Sequence, residues 1–402
     1  MVGLARPVPP FDVASIHRGS RWRDGAWRVT LRRVSPVRTA LLRATTVALA
    51  TASVFVAPSS ASAAPVRIMP VGDSITQGSA GDYTWRFRLW ESLQTGGPAG
   101  GVDFVGTRNA LWNPQTGKQD GNRFYADPNF DQDHQAIWLR TLIDESLTIG
   151  GTIKAMATKP DVIVVDLGTN DYARGASKSM TALRAFITNA RAAAPGVDVV
   201  VLGLYRLYNV KGRAYENTSY VQGFNASLPT LAAQLDTPSQ RVVAAPVEPA
   251  FDAATMTWDG RHPTPKGELV LARAASDALQ TIGVGSGWDG ASIAGWPAKG
   301  PTPTLTAAST TSFNLQWAHT TAGALAYRIE YRDVSGNGPW KLVGTPAAGN
   351  GSFKIGGFPV GSTVTARVTP VRGEMAGQQG ATPQLTLPTA LPRSSKPWWQ
   401  LW

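Results

Sequence analysis

The sequence predicts an α/β domain with a parallel sheet, followed by a smaller all-β sandwich. Three observations carry this. Strand-like and helix-like segments alternate after the first ~63 residues, as a doubly wound sheet requires. From Gly283 to Pro303 the composition shifts to Gly, Ser, Pro and Ala, the mark of a linker. Beyond it, apolar and polar residues alternate in short runs separated by turns. The chain thus divides into a leader (1–63), an α/β domain (64–285), a linker (286–303), a β-sandwich (304–387) and a tail (388–402).

In order, Val66 to Val71 forms the first strand, a helix runs around Thr84 to Leu93, and Val102 to Gly106 forms the second strand. The stretch from Arg108 to Phe130 is rich in Asn, Gly, Gln and Asp and reads as a long loop walling a crevice. Asp161 to Leu167 is a β-branched run opened by Lys159-Pro160 and closed by Gly168, a fully buried strand. A helix from Ser177 to Ala193, a strand from Val197 to Gly203, a helix from Asn217 to Leu235 and a strand from Arg241 to Ala245 follow. A helix from Pro265 to Ile282 completes the domain. In the sandwich, strands are expected at Ser312 to Trp317, Ala326 to Tyr331 and Ser362 to Val368.

The leader carries nine arginines against two aspartates, then an apolar stretch from Val47 to Val56 and Ala61-Ser62-Ala63, which reads as an export signal cleaved after Ala63. Arg32-Arg33 admits twin-arginine export. The apolar stretch is too short for a membrane span, which takes about 20 residues, and no later segment qualifies. The leader accounts for +7 of the formal charge of +11, and without it no Lys/Arg cluster remains to serve a nucleic acid. With no cysteine, disulfides and thiolate metal sites are excluded.

Three short segments carry chemistry. Gly72-Asp73-Ser74-Ile75 ends the first strand, where a serine hydroxyl can face the crevice outside a parallel sheet. Gly168-Thr169-Asn170-Asp171 ends the buried strand at the same edge, and a neutral Asn170 amide suits an oxyanion because it does not titrate. In Trp258-Asp259-Gly260-Arg261-His262, a carboxylate three residues before a histidine can hold its Nδ1, leaving Nε2 to take a proton from serine. Of the four histidines, His17 and His319 fall outside the domain bearing Ser74, so the base is His262 or His134.

On these residues the chain resembles the SGNH, or GDSL, hydrolase superfamily, over roughly residues 65 to 285. The three segments are similar to its first, third and fifth blocks. The resemblance implies esterase chemistry on a flavodoxin-like three-layer α/β/α sandwich, with Ser74 as nucleophile, His262 as base and Asp259 orienting it. It also implies an oxyanion hole formed by the Ser74 N–H, a second-block glycine N–H and Asn170. Here Leu139 stands where that glycine is expected. Its N–H remains available, but its side chain could block close approach or be unable to adopt the required dihedrals, so slower turnover is expected. The C-terminal region resembles a fibronectin type III domain, with Trp317 as the core tryptophan and Phe358-Pro359-Val360-Gly361-Ser362 as the turn before its sixth strand. Val364 replaces its corner tyrosine.

Other features are weaker. Trp85, Trp90, Trp112, Trp138 and Trp258 lie near the three segments; core packing is expected of them, with Trp112, inside a polar loop, the candidate for substrate contact. Asp127, Asn129, Asp131 and Asp133 alternate like a calcium loop but lack the glycine and distal glutamate of an EF-hand, so no metal or cofactor is expected. The aromatic tail Pro397 to Trp402 is expected to fray. The expected activity is secreted, cofactor-free ester hydrolysis on acetylated polysaccharide or a small ester. The second domain is a possible contact to polysaccharide or cell surface. A lipid or lysophospholipid ester is the runner-up, and a carbohydrate-binding protein on an inactive hydrolase scaffold is a third reading.

Overall fold

The computed structural model describes residues 63–119, 124–288 and 295–390; the segment expected to direct export, the aromatic tail and the middle of the linker lie outside them. The strands of the first domain are β1 (Val66–Gly72), β2 (Val102–Phe104), the hairpin β3 (Trp112–Asn113) and β4 (Lys118–Gln119), β5 (Gln135–Ala136), β6 (Val162–Asp166), β7 (Asp198–Leu202), the hairpin β8 (Leu207–Asn209) and β9 (Ala214–Glu216), and β10 (Val242–Ala245). The helices are α1 (Ser74–Gln77), α2 (Trp85–Gly96), α3 (Leu142–Ala155), α4 (Ala176–Ala193), α5 (Thr218–Leu235), α6 (Ala253–Met256) and α7 (Pro265–Gln280).

The main sheet is parallel, in the order β2-β1-β6-β7-β10, with β5 pairing the end of β1. Counting the five main strands in chain order this is 2-1-3-4-5, the flavodoxin-like arrangement, whose topological switch lies between β1 and β6. Alternation along the strands makes the layers. Met69, Val71, Ile163 and Val165 pack one way into a core shared with α3, α4 and α5. Ile68, Val162, Val164 and Val200 pack the other way against α2 and α7.

Helix α3 has no counterpart in the sequence reading. Gly150 and Gly151 interrupt it, and glycine costs a helix interior about 1 kcal/mol relative to alanine. Tertiary contacts hold it instead: Asp171 accepts the Leu142 and Ile143 N–H at 2.7 and 3.3 Å, and Thr141 caps Asp144. A Cβ at Gly150 would lie 3.2 Å from the Asn189 carbonyl of α4, so the gap in propensity is also what lets the helices approach.

The second domain packs the sheet β11 (Thr304–Ser309), β12 (Ser312–Trp317) and β15 (Gly351–Gly356) against β13 (Ala326–Asp333), β14 (Lys341–Gly344), β16 (Thr363–Arg372), β17 (Met375–Ala376) and β18 (Gln384–Thr386). Its core holds Phe313, Leu315, Trp317, Tyr327, Ile329, Val364 and Val368. At the corner, Val364 is fully buried by packing alone. Among the described residues, no helix is long and apolar enough to cross a membrane.

Candidate active site

Ser74 is the first residue of α1, immediately past the end of β1. Asp73 caps the turn by accepting the Ile75 N–H at 2.9 Å. The turn needs Gly72: a Cβ there would stand 2.1 Å from Thr76 Oγ1 and 2.9 Å from the Asp166 carbonyl. His262 Nε2 lies 3.0 Å from Ser74 Oγ, and His262 Nδ1 lies 2.7 Å from Asp259 Oδ2. The other Asp259 oxygen, Oδ1, accepts the N–H groups of Arg261 and His262 at 2.9 and 2.8 Å, which fixes the carboxylate plane. Burial works to raise the Asp259 carboxyl, but the hydrogen bond and charge of His262, with these two N–H groups, outweigh it and hold it below its ordinary value.

His134, left open as the base by the sequence, is elsewhere. It is fully buried, its Nδ1 accepts the Ala136 N–H at 3.0 Å, and its backbone exchanges two hydrogen bonds with Arg108. Burial, with the Arg86 charge, pushes its imidazole well down, away from the protonated form.

Asn170 stands in a short 3-10 turn after β6. Its Nδ2 donates to Asp73 Oδ2 at 3.1 Å and to the Arg140 carbonyl at 3.0 Å, meeting the serine loop at Asp73 rather than at the hydroxyl. Leu139 adopts φ +65° with its side chain 70% exposed, so leucine takes up the left-handed conformation and turns outward. Such a conformation costs a non-glycine residue about 1 kcal/mol. The segment is fastened beside β1 by Ile137 N–H to the Gly72 carbonyl and by Trp138 N–H to Gln77 Oε1, at 3.1 and 2.8 Å. Sequence reasoning missed Gln77; its place one turn after the serine was the available signal.

The aromatic residues form a continuous pile. Trp112 stacks on Trp138 at 4.9 Å, Trp138 on the His262 imidazole at 4.6 Å, and Trp258 on the same imidazole at 5.2 Å. Trp112, the candidate for substrate contact, therefore reaches the histidine only through Trp138. Trp85 is core, with its Nε1 donating to Thr76 Oγ1. In the aspartate-rich loop, Asp127 and Asp131 accept backbone N–H groups of Asn129, Phe104 and Asp133. No group of three or more His, Asp or Glu side chains is placed to hold a metal ion among the described residues.

Residues 71–269 match the GDSL-like lipase/acylhydrolase family. The domain belongs to that family. A multidomain esterase of Ruminococcus flavefaciens is 28% identical over 235 residues, covering 56% of this chain; the chain spans only 30% of that relative's length. A carbohydrate esterase family 3 structure from Talaromyces cellulolyticus is 29% identical, with 54% of this chain and 97% of that one covered and a TM-score of 0.44. The sixth fibronectin type III domain of a human protein is 22% identical, covering 27% of this chain and 100% of its own, with a TM-score of 0.22. The C-terminal domain is an antiparallel two-sheet β-sandwich.

Beneath Ser74, the GDSL-like domain buries the carboxyl of Asp166. Asp166, at the end of β6, accepts Thr76 Oγ1 at 2.9 Å, and burial pushes it up to about 6, with the Thr76 hydrogen bond acting in the opposite direction. A carboxyl raised on folding binds its proton more tightly in the native chain. It therefore costs stability as pH rises from the unfolded value near 4 to about 6, and the cost persists above that. Asp166→Asn is expected to remove this loss, on the order of a few kcal/mol. Denaturant titrations of both proteins at pH 4 and pH 7 check it: the wild type should weaken across the interval relative to the variant.

Proposed function

We propose that this chain is an exported serine esterase that cleaves carboxylic esters through an acyl-serine, with acetyl esters on carbohydrate as its substrates. The observation that carries the reading is the unbroken relay Asp259–His262–Ser74, 2.7 and 3.0 Å per link. With Asp259 ionised and accepting from Nδ1, the imidazole presents the bare Nε2 to the serine proton. Ser74 attacks the carbonyl carbon as His262 takes that proton. The tetrahedral oxyanion is stabilised by the N–H groups of Ser74 and Leu139 and by Asn170, which exchanges its resting contact with Asp73 or Arg140 for the incoming oxygen. His262 then protonates the departing alcohol, and water repeats the sequence on the acyl-enzyme.

Family membership supports ester hydrolysis. The substrate class is supported by Trp112 at the end of the aromatic pile, since a flat indole face suits a sugar ring. Export is supported by the arginine-rich leader and its apolar stretch. Hydrolysis of p-nitrophenyl acetate by the wild type, with Ser74→Ala lower by at least about ten-thousand-fold, tests the chemistry. A series of p-nitrophenyl esters from acetate to palmitate, run beside acetylated xylan, tests the substrate. Highest kcat/KM on acetate with acetate release from xylan is expected, and a preference for palmitate would favour a lipid ester instead.

A further inference from the structure

The two domains touch at the loop that carries the histidine. Trp258, one residue before Asp259, belongs to the apolar cluster of the sandwich rather than to either core of the GDSL-like domain. Its carbonyl accepts the N–H of Glu374 at 2.9 Å, and its own N–H donates to the His262 carbonyl at 3.0 Å. Between β16 and β17 the sandwich turns at Gly373, φ +55°, where a Cβ would stand 1.7 Å from the Trp258 carbonyl. The residue before it, Arg372, is fully buried. Its guanidinium lies over Trp258 at 5.1 Å and over Trp296 at 4.8 Å, donates to the Ala80 carbonyl at 3.1 Å, and pairs with Asp82. Trp296 in turn donates from Nε1 to the Gly81 carbonyl at 3.1 Å.

We infer that Arg372 of the sandwich is a positioning residue for the esterase site: held by Asp82 and Ala80 and backed by Trp296, it fixes the Trp258 indole and thereby the plane of the His262 imidazole stacked on it. A guanidinium between indole faces is rigid and, when desolvated, strongly held. The opposite face of the imidazole rests on Trp138, so releasing Trp258 lets the ring tilt away from Ser74. A misplacement of about 1 Å can cost about a hundredfold in rate. The sandwich is on this account part of the catalytic architecture, whatever surface it also contacts.

The inference rests on Ser74 and His262 being the catalytic pair. The test is kcat and KM on p-nitrophenyl acetate for the full chain, with active protein counted by fluorophosphonate labelling of Ser74. Arg372→Met keeps the stem and removes the charge, and Trp296→Leu, remote from the serine, loosens the arginine from behind. Either variant is expected to lower kcat per labelled serine by about ten- to a hundredfold, with KM within about threefold. Should Arg372→Met not accumulate as folded protein, Trp296→Leu decides the matter. Arg367→Ala is the control: it lies on the same strand, pairs with Glu330 at 2.8 Å, and should leave kcat per site unchanged. Variants within twofold of wild type, or an equal loss in the control, overturn the inference. A wild type that neither labels nor turns over sinks the esterase reading instead.

Discussion

Asp259→Asn should lower kcat on p-nitrophenyl acetate by about ten-thousand-fold while leaving the chain folded. The size of the effect follows from which oxygen is engaged. Oδ1 accepts two backbone N–H groups, a role that only the oxygen of an asparagine can fill. The amide nitrogen must then take the place of Oδ2 and direct an N–H at His262 Nδ1. The imidazole responds by carrying its proton on Nε2, where it donates to Ser74 instead of accepting from it. Because both backbone contacts survive, the melting temperature should stay close to that of the wild type. A variant retaining more than about a tenth of wild-type turnover, with its fold intact, would mean that Asp259 does not set the tautomer.

The largest expected loss of stability lies between α2 and α7. Arg88 and Glu268 are both buried and pair at 2.9 Å, and Glu268 also accepts the Thr84 N–H at 3.0 Å. Burial pushes the Glu268 carboxyl up, and the Arg88 charge opposes that push. Arg88→Met strands the carboxylate, and removal of one partner of a buried pair costs about 3–5 kcal/mol. The sign of the pH dependence is fixed. Without arginine the folded carboxyl sits further above its unfolded value, so the deficit is full above the folded value and shrinks as pH falls through it toward the unfolded one. Urea titrations at neutral and acidic pH should show the variant recovering toward wild type in acid. A deficit that does not change with pH would point to lost packing rather than a stranded charge.

The parts of this molecule legible in its sequence are those whose signal is local. The β-branched run Val162 to Asp166 announces a buried strand, and Asp259 and His262 lie three positions apart, a spacing that lets one carboxylate hold both the ring and the backbone. The doubly wound class follows from alternating elements and the flavodoxin-like sandwich from the resemblance of short blocks, whereas the strand order is seen only in the pairing. What stayed hidden depends on partners far along the chain. Helix α3 is not assigned from the sequence, and the residues that hold it, Asp171 and Asn189, lie in later elements. Strands β11, β14 and β15 are short and partly exposed, and only their pairing defines them. At Leu139, the resemblance raises the question whether a leucine can adopt the dihedrals of a glycine, and the backbone there adopts φ +65° with the residue exposed. The arginine-rich interior was least visible of all, since Arg86, Arg88 and Arg372 look like surface residues until their partners are known.

The separation of Ser74 from His262, 188 residues of chain, bears on the protein's life before it is complete. Synthesis proceeds from the N-terminus, so the hydroxyl emerges long before any base can reach it, and the turn at Glu374 that grips Trp258 arrives later still. A ribosome-bound fragment ending anywhere before the histidine carries a serine without its imidazole partner, and one ending before Glu374 leaves the Trp258 carbonyl without that contact.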